Sequence, residues 1–129
     1  MKNTKLFVYG TLKKGFGNHR LIQKTEYIGD FISNDKFDLS GHSFPEIYPN
    51  DQGKQIKGEI YNLEEQDFIV TDSLEGNGYF YNREIQSFYN NKTQIEAWIY
   101  IIMQPGASIE VPDRVIDWNY SYTKNPFYI

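Results

Sequence analysis

Two strand-like runs, residues 80–89 and 93–103, flank Asn90-Asn91-Lys92, and nothing else in the chain restricts its fold as firmly. A turn-forming triplet between two such runs predicts a β-hairpin, which needs further strands or a helix to bury its apolar face. The chain supplies them. Leu6-Phe7-Val8-Tyr9 suits a buried strand, 25–32 alternates loosely, and Phe37-Asp38-Leu39 is short. Residues 41–49 hold two prolines and suit an edge or irregular segment, while Gln55-Ile56-Lys57-Gly58-Glu59-Ile60-Tyr61 alternates clearly. Helical signals are fewer. Residues 19–24 read as a short helical turn. Asn62 is placed to cap a helix with Glu65 completing a capping box, Phe68, Ile69 and Leu74 forming its apolar face and Glu75-Gly76 ending it. Beyond Gln104-Pro105-Gly106 the tail reads as one short helix and coil packed over the strands. Many short strands with one or two helices predict an α+β fold.

The chain has 129 residues with no linker-like stretch, so a single domain spanning 1–129 is expected. Aromatic residues make up 17%, enough to build core and pocket walls from rings. A formal charge of −4 with thirteen scattered basic residues argues against a nucleic-acid partner. There is no cysteine, which removes disulfides, thiolate metal sites and a thiol nucleophile. His19 and His42 are the only histidines and lack a ligand-spaced partner, so no metal site and no cofactor are expected. The apolar run near the N-terminus is too short for a signal peptide or membrane span, so a cytoplasmic protein with no membrane association is expected.

Two segments carry chemistry. In Tyr9-Gly10-Thr11-Leu12-Lys13-Lys14-Gly15 a strand breaks into a glycine turn, where freed amides can hold a carboxylate or an oxyanion. In Asp72-Ser73-Leu74-Glu75-Gly76 a carboxylate sits at a helix end beside the aromatic run Tyr79-Phe80-Tyr81. Apolar walls there would raise its pKa toward the range of a general base. Each segment also has a plain reading: strands commonly end in glycine turns, and surface acids commonly precede a C-terminal glycine. Asp72 lies on nearly the same helical face as Glu75, able to repel its charge or to accept backbone hydrogen bonds.

Taken in order, these motifs resemble the gamma-glutamylcyclotransferase-like proteins, and among them the gamma-glutamylamine cyclotransferases. The resemblance is carried by residues 7–15 with Asn18-His19, by Gly58-Glu59-Ile60-Tyr61, by Asp72 with Glu75-Gly76, by Tyr81-Asn82-Arg83 and by Ala97-Trp98-Ile99-Tyr100. Phe44-Pro45 and Asp117-Trp118 fit weaker patterns; Thr71, where the family usually has leucine, reads as a packing change. The resemblance implies a small mixed β-barrel with one or two helices packed outside. It also implies a cyclotransferase that frees an amine and 5-oxoproline from a small γ-glutamyl substrate. Carried over residue by residue, Glu75 becomes the general base and Tyr9, Gly10, Thr11 and Leu12 the substrate-binding loop. Tyr81 becomes a pocket wall, and Arg83 an ion-pair partner that fixes the Glu75 loop in preference to a ligand for a substrate carboxylate. Two alternatives share the fold: a non-catalytic small-molecule binding domain, and a biosynthetic enzyme that removes a γ-glutamyl protecting group. The oligomeric state is not legible.

Overall fold

The computed structural model describes residues 3–34, 36–41, 44–109 and 114–119. In chain order the elements are β1 (Lys5–Val8), a 3-10 turn (Gly17–Leu21), β2 (Glu26–Ser33), β3 (Phe37–Ser40) and β4 (Glu46–Pro49). There follow β5 (Gln55–Asn62), α1 (Glu65–Glu75), β6 (Tyr81–Tyr89), β7 (Gln94–Ile102) and β8 (Val115–Ile116). The predicted hairpin is β6 with β7, antiparallel from Tyr81 opposite Ile102 to Tyr89 opposite Gln94. It is the longest part of a sheet ordered β1-β7-β6-β2-β5, and β5 pairs back onto β1. Five strands thus close into a barrel, which leaves no open edge among them. Only the β1–β7 contact within it is parallel. β8 adds to β5 in parallel, where the sequence suggested helix and coil; residues 120–129 and His42 lie outside the described residues. β3 and β4 form a separate hairpin that packs on β7.

Strand periodicity divides the apolar residues between two cores. Phe7 points into the barrel, stacking on Phe88 with ring centroids 4.1 Å apart, in a cluster that includes Ile60, Ile99 and Trp118. Its neighbours Leu6 and Val8 face outward and pack with Tyr100 and with Phe68 of α1. Successive side chains of a strand alternate in direction, so a strand covered on both faces reads as a continuous apolar run.

The helix differs from its sequence reading at both its start and its face. Asn62 closes β5 instead of capping the helix; Glu64 is the N-cap, in a reciprocal capping box with Asp67. The inward stripe is Phe68, Thr71, Asp72 and Glu75, while Ile69, Val70 and Leu74 are exposed. That spacing of i, i+3, i+4, i+7 is one helical face, and it was missed because three of its four members are polar. The helix stops as expected at Gly76, whose left-handed φ of 60° suits glycine and whose amide bonds back to the last turn.

Candidate active site

β1 delivers the chain into a loop that is fastened residue by residue. The Tyr9 hydroxyl donates to the Tyr100 carbonyl at 2.6 Å, Asn18 Nδ2 donates to Thr11 Oγ1 at 2.8 Å, and His19 Nδ1 lies 2.8 Å from the Leu12 carbonyl. Buried Lys13 Nζ reaches the Trp118 carbonyl at 2.7 Å and Asp117 at 3.1 Å. Against this fastening, the amides of Gly10, Thr11 and Leu12 donate to no acceptor among the described residues. A held loop with free amides is the arrangement that binds a carboxylate or oxyanion.

Gly10 approaches Pro45 so closely that a Cβ would lie 2.4 Å from the ring's Cγ. The glycine expected to admit a ligand is therefore needed, in the first instance, to admit Pro45. The Tyr81 hydroxyl donates to the Pro45 carbonyl at 2.8 Å, so β6 holds Pro45 against the loop.

Loop, Pro45, β6 and the end of α1 enclose a cavity of about 420 Å³. Tyr9, Gly10, Thr11, Leu12, Glu75 and Tyr81 all line it, so the structure brings together these sequence-nominated residues from two distant segments. Its volume is in the range that holds small molecules. Burial raises the Glu75 carboxyl from its ordinary 4.5 to about 7. No described residue hydrogen-bonds to that carboxyl. Burial also raises the phenols of Tyr9 and Tyr81, with the nearby Glu75 charge adding to it, so both stay protonated near neutral pH.

Arg83 does not line the cavity. Its Nε and Nη2 donate to the two oxygens of Asp72 at 2.8 and 3.1 Å, with the guanidinium beside the rings of Phe68 and Trp98. The Tyr100 hydroxyl donates to Asp72 at 2.5 Å and exchanges a hydrogen bond of 2.8 Å with Thr71 Oγ1. Thr71 thus does more than fill space: with the Tyr100 proton directed at Asp72, the Thr71 hydroxyl is the donor to Tyr100, a bond that a leucine there would remove. Asp72 accepts from side chains and makes neither of the interactions foreseen for it. Among the described residues there is no cluster of three groups able to hold a metal ion, and no helix long and apolar enough to cross a membrane.

Sequence reading missed Glu46, a second carboxylate on the cavity, and the role of Asn18 in pinning Thr11. Asn18 is among the residues that carry the family resemblance, so its position near the loop was legible though its bond to Thr11 was not; Glu46 carries no local signal.

A five-stranded barrel with one helix outside, a pinned loop of free amides after its first strand and a desolvated carboxylate at the helix end define a class of small-molecule site. The chain belongs to the family described as gamma-glutamyl cyclotransferase, AIG2-like, whose pattern matches residues 6–120. The Escherichia coli K12 gamma-glutamylcyclotransferase family protein YtfP is 30% identical over 103 residues, covering 78% of this chain and 84% of that one. A Methanocaldococcus jannaschii protein provisionally named a gamma-glutamylcyclotransferase is 32% identical over 97 residues, covering 74% of this chain and 81% of its own. In three dimensions the chain is similar to a mouse AIG2-like protein, with a TM-score of 0.71 at 22% identity, over 98% of this chain and 92% of that one.

Proposed function

We propose that this chain cyclises γ-glutamyl amines, releasing 5-oxoproline and a free amine with Glu75 as the general base. The observation that carries this reading is Glu75 itself: a carboxyl raised to about 7, without a hydrogen-bonding partner among the described residues, on a cavity shared with the free amides of residues 10–12. A pure binding site gains little from such a group, whereas a base is most effective with a pKa near the working pH.

In the reaction the substrate supplies its own nucleophile. Glu75 takes a proton from the α-ammonium, and the freed amine nitrogen attacks the side-chain amide carbonyl, forming the ring C–N bond. The carbonyl oxygen becomes an oxyanion, which the loop amides and the Thr11 hydroxyl are suited to stabilise. As the tetrahedral centre collapses, the bond to the leaving nitrogen breaks and that nitrogen takes the first proton back from Glu75; Glu75 then takes the second proton from the ring nitrogen and passes it to the departing amine, leaving a neutral lactam and an ammonium product. Holding the five-membered closure geometry accounts for much of the acceleration, since effective molarities of such reactions reach ~10⁵ M or more.

The test is chemical. A γ-glutamyl amine with a free α-amine should yield one 5-oxoproline per amine released, and its N-acetylated counterpart should be inert, because acetylation removes the nucleophilic lone pair. Release of N-acetylglutamate from the blocked compound would identify a hydrolase and defeat the proposal.

A further inference from the structure

The cavity's two ends differ. Val8, Tyr9 and Leu12 are buried and form its inner wall, while Phe44, Leu74 and Phe80 are exposed and flank its opening. With the glutamyl group against the inner loop and Glu75, the amine half of the substrate extends toward the exposed rings. The described residues that line the cavity include two carboxylates, Glu75 and Glu46, and no lysine, arginine or histidine. Glu46 directly follows Pro45 and is half-buried. Its Oε1 accepts from Ser40 Oγ at 2.9 Å, and its other oxygen has no hydrogen-bond partner among the described residues.

Resting on the cyclotransferase reading above, we propose that Glu46 selects the leaving amine, and that the preferred substrates are γ-glutamyl conjugates of alkyl amines bearing a second, cationic amino group and no carboxylate. The glutamyl carboxylate has the loop amides to receive it. A second carboxylate, on the amine half, would lie near Glu46 with no described cation on the cavity to offset it. An ammonium group there donates a charge-assisted hydrogen bond to Glu46 and meets the faces of Phe44 and Phe80 along its path. The alkyl stem between the two nitrogens covers the apolar opening, as lysine stems cover apolar surface.

Three probes of matched length test this: the γ-glutamyl amides of 1,4-diaminobutane, butylamine and 4-aminobutyrate, compared by kcat/KM for 5-oxoproline release. The expected order is cationic, neutral, anionic, with about 10–100-fold between the first and last, the range of one charge-assisted hydrogen bond. Glu46→Gln should compress that ratio to within a few-fold, and Glu46→Lys should invert it. Because each ratio is taken within one enzyme, a partly folded variant does not blur it. An anionic probe turned over as well as the cationic one, or a ratio unmoved by Glu46→Gln, overturns the selection while leaving the cyclotransferase reading intact. No 5-oxoproline from any of the three overturns both.

Discussion

Asp72 and Glu75 sit one turn apart on the same inward face of α1, carry the same functional group, and end in opposite situations. Asp72 is held by both nitrogens of the Arg83 fork and by the Tyr100 hydroxyl. Glu75 has no such partner among the described residues, and burial alone lifts it to about 7. The difference lies in what faces each carboxylate. β6 brings Arg83 to Asp72 and keeps it there beside two aromatic rings, while Glu75 faces the cavity. A paired carboxylate of this kind anchors the helix end to the barrel. An unpartnered one is disfavoured as an anion, which is what a proton acceptor working near neutrality requires.

The comparison breaks most sharply at Glu75. Glu75→Gln should lower kcat for 5-oxoproline release by about 10²–10⁴-fold, the usual loss on removing a general base. The same variant should gain stability at alkaline pH. The folded protein keeps the Glu75 proton up to about 7, whereas the unfolded chain releases it near 4.5. Between those values the folded state binds more protons, so wild-type stability falls as pH rises through this window. Denaturant unfolding at pH 5 and pH 8 should show the variant ahead of wild type at pH 8 by roughly 1–3 kcal/mol more than at pH 5. An equal difference at both pH values would contradict the buried, partnerless state of the group.

At the other carboxylate, Arg83→Met should cost about 2–4 kcal/mol, because it leaves Asp72 charged and largely buried. Loss of the anchor should also reduce kcat on the order of 10-fold, with little change in KM, as Glu75 is displaced. Adding Asp72→Asn should recover part of the stability, and a double-mutant cycle measures how much. If Arg83→Met instead raised KM at unchanged stability, Arg83 would be a substrate ligand and the contrast between the two carboxylates would fail.

Smaller effects sharpen the other side of the cavity. Gly10→Ala places a methyl against Pro45, 2.4 Å from its Cγ, and should destabilise by about 1–3 kcal/mol through overcrowding. KM should rise several-fold as Pro45 or the loop shifts; a native KM in the folded variant would show that the loop amides are not displaced. Smallest of all, a chelator should leave turnover unchanged. Inhibition reversed by added metal would overturn the expectation of a metal-free reaction.

Much of the fold was readable because its signals are local. The hairpin at Asn90-Asn91-Lys92, the strand ahead of Gly10 and the helix stop at Gly76 each depend on residues a few positions apart. The helix's inward face was not readable from hydrophobicity. Ile69 and Leu74 are apolar yet exposed, and Thr71, Asp72 and Glu75 face inward because β6 and β7 offer them Arg83, Tyr100 and the cavity. Val115–Ile116 likewise becomes a strand only because β5 presents a partner to it.

The chain's own order of residues determined that it would be an α+β protein of short strands, with a glycine loop after β1 and an acid ahead of a terminal glycine as its candidate chemistry. Periodicity and turn preferences act over one or two turns of chain, so they are written where they act. Closure of β5 onto β1, the meeting of Gly10 with Pro45, the presence of Glu46 on the cavity and the separation of an anchored Asp72 from a desolvated Glu75 were decided by the tertiary structure. A carboxylate's protonation depends on the charges and solvent within a few ångströms, and those neighbours come from strands far away along the chain.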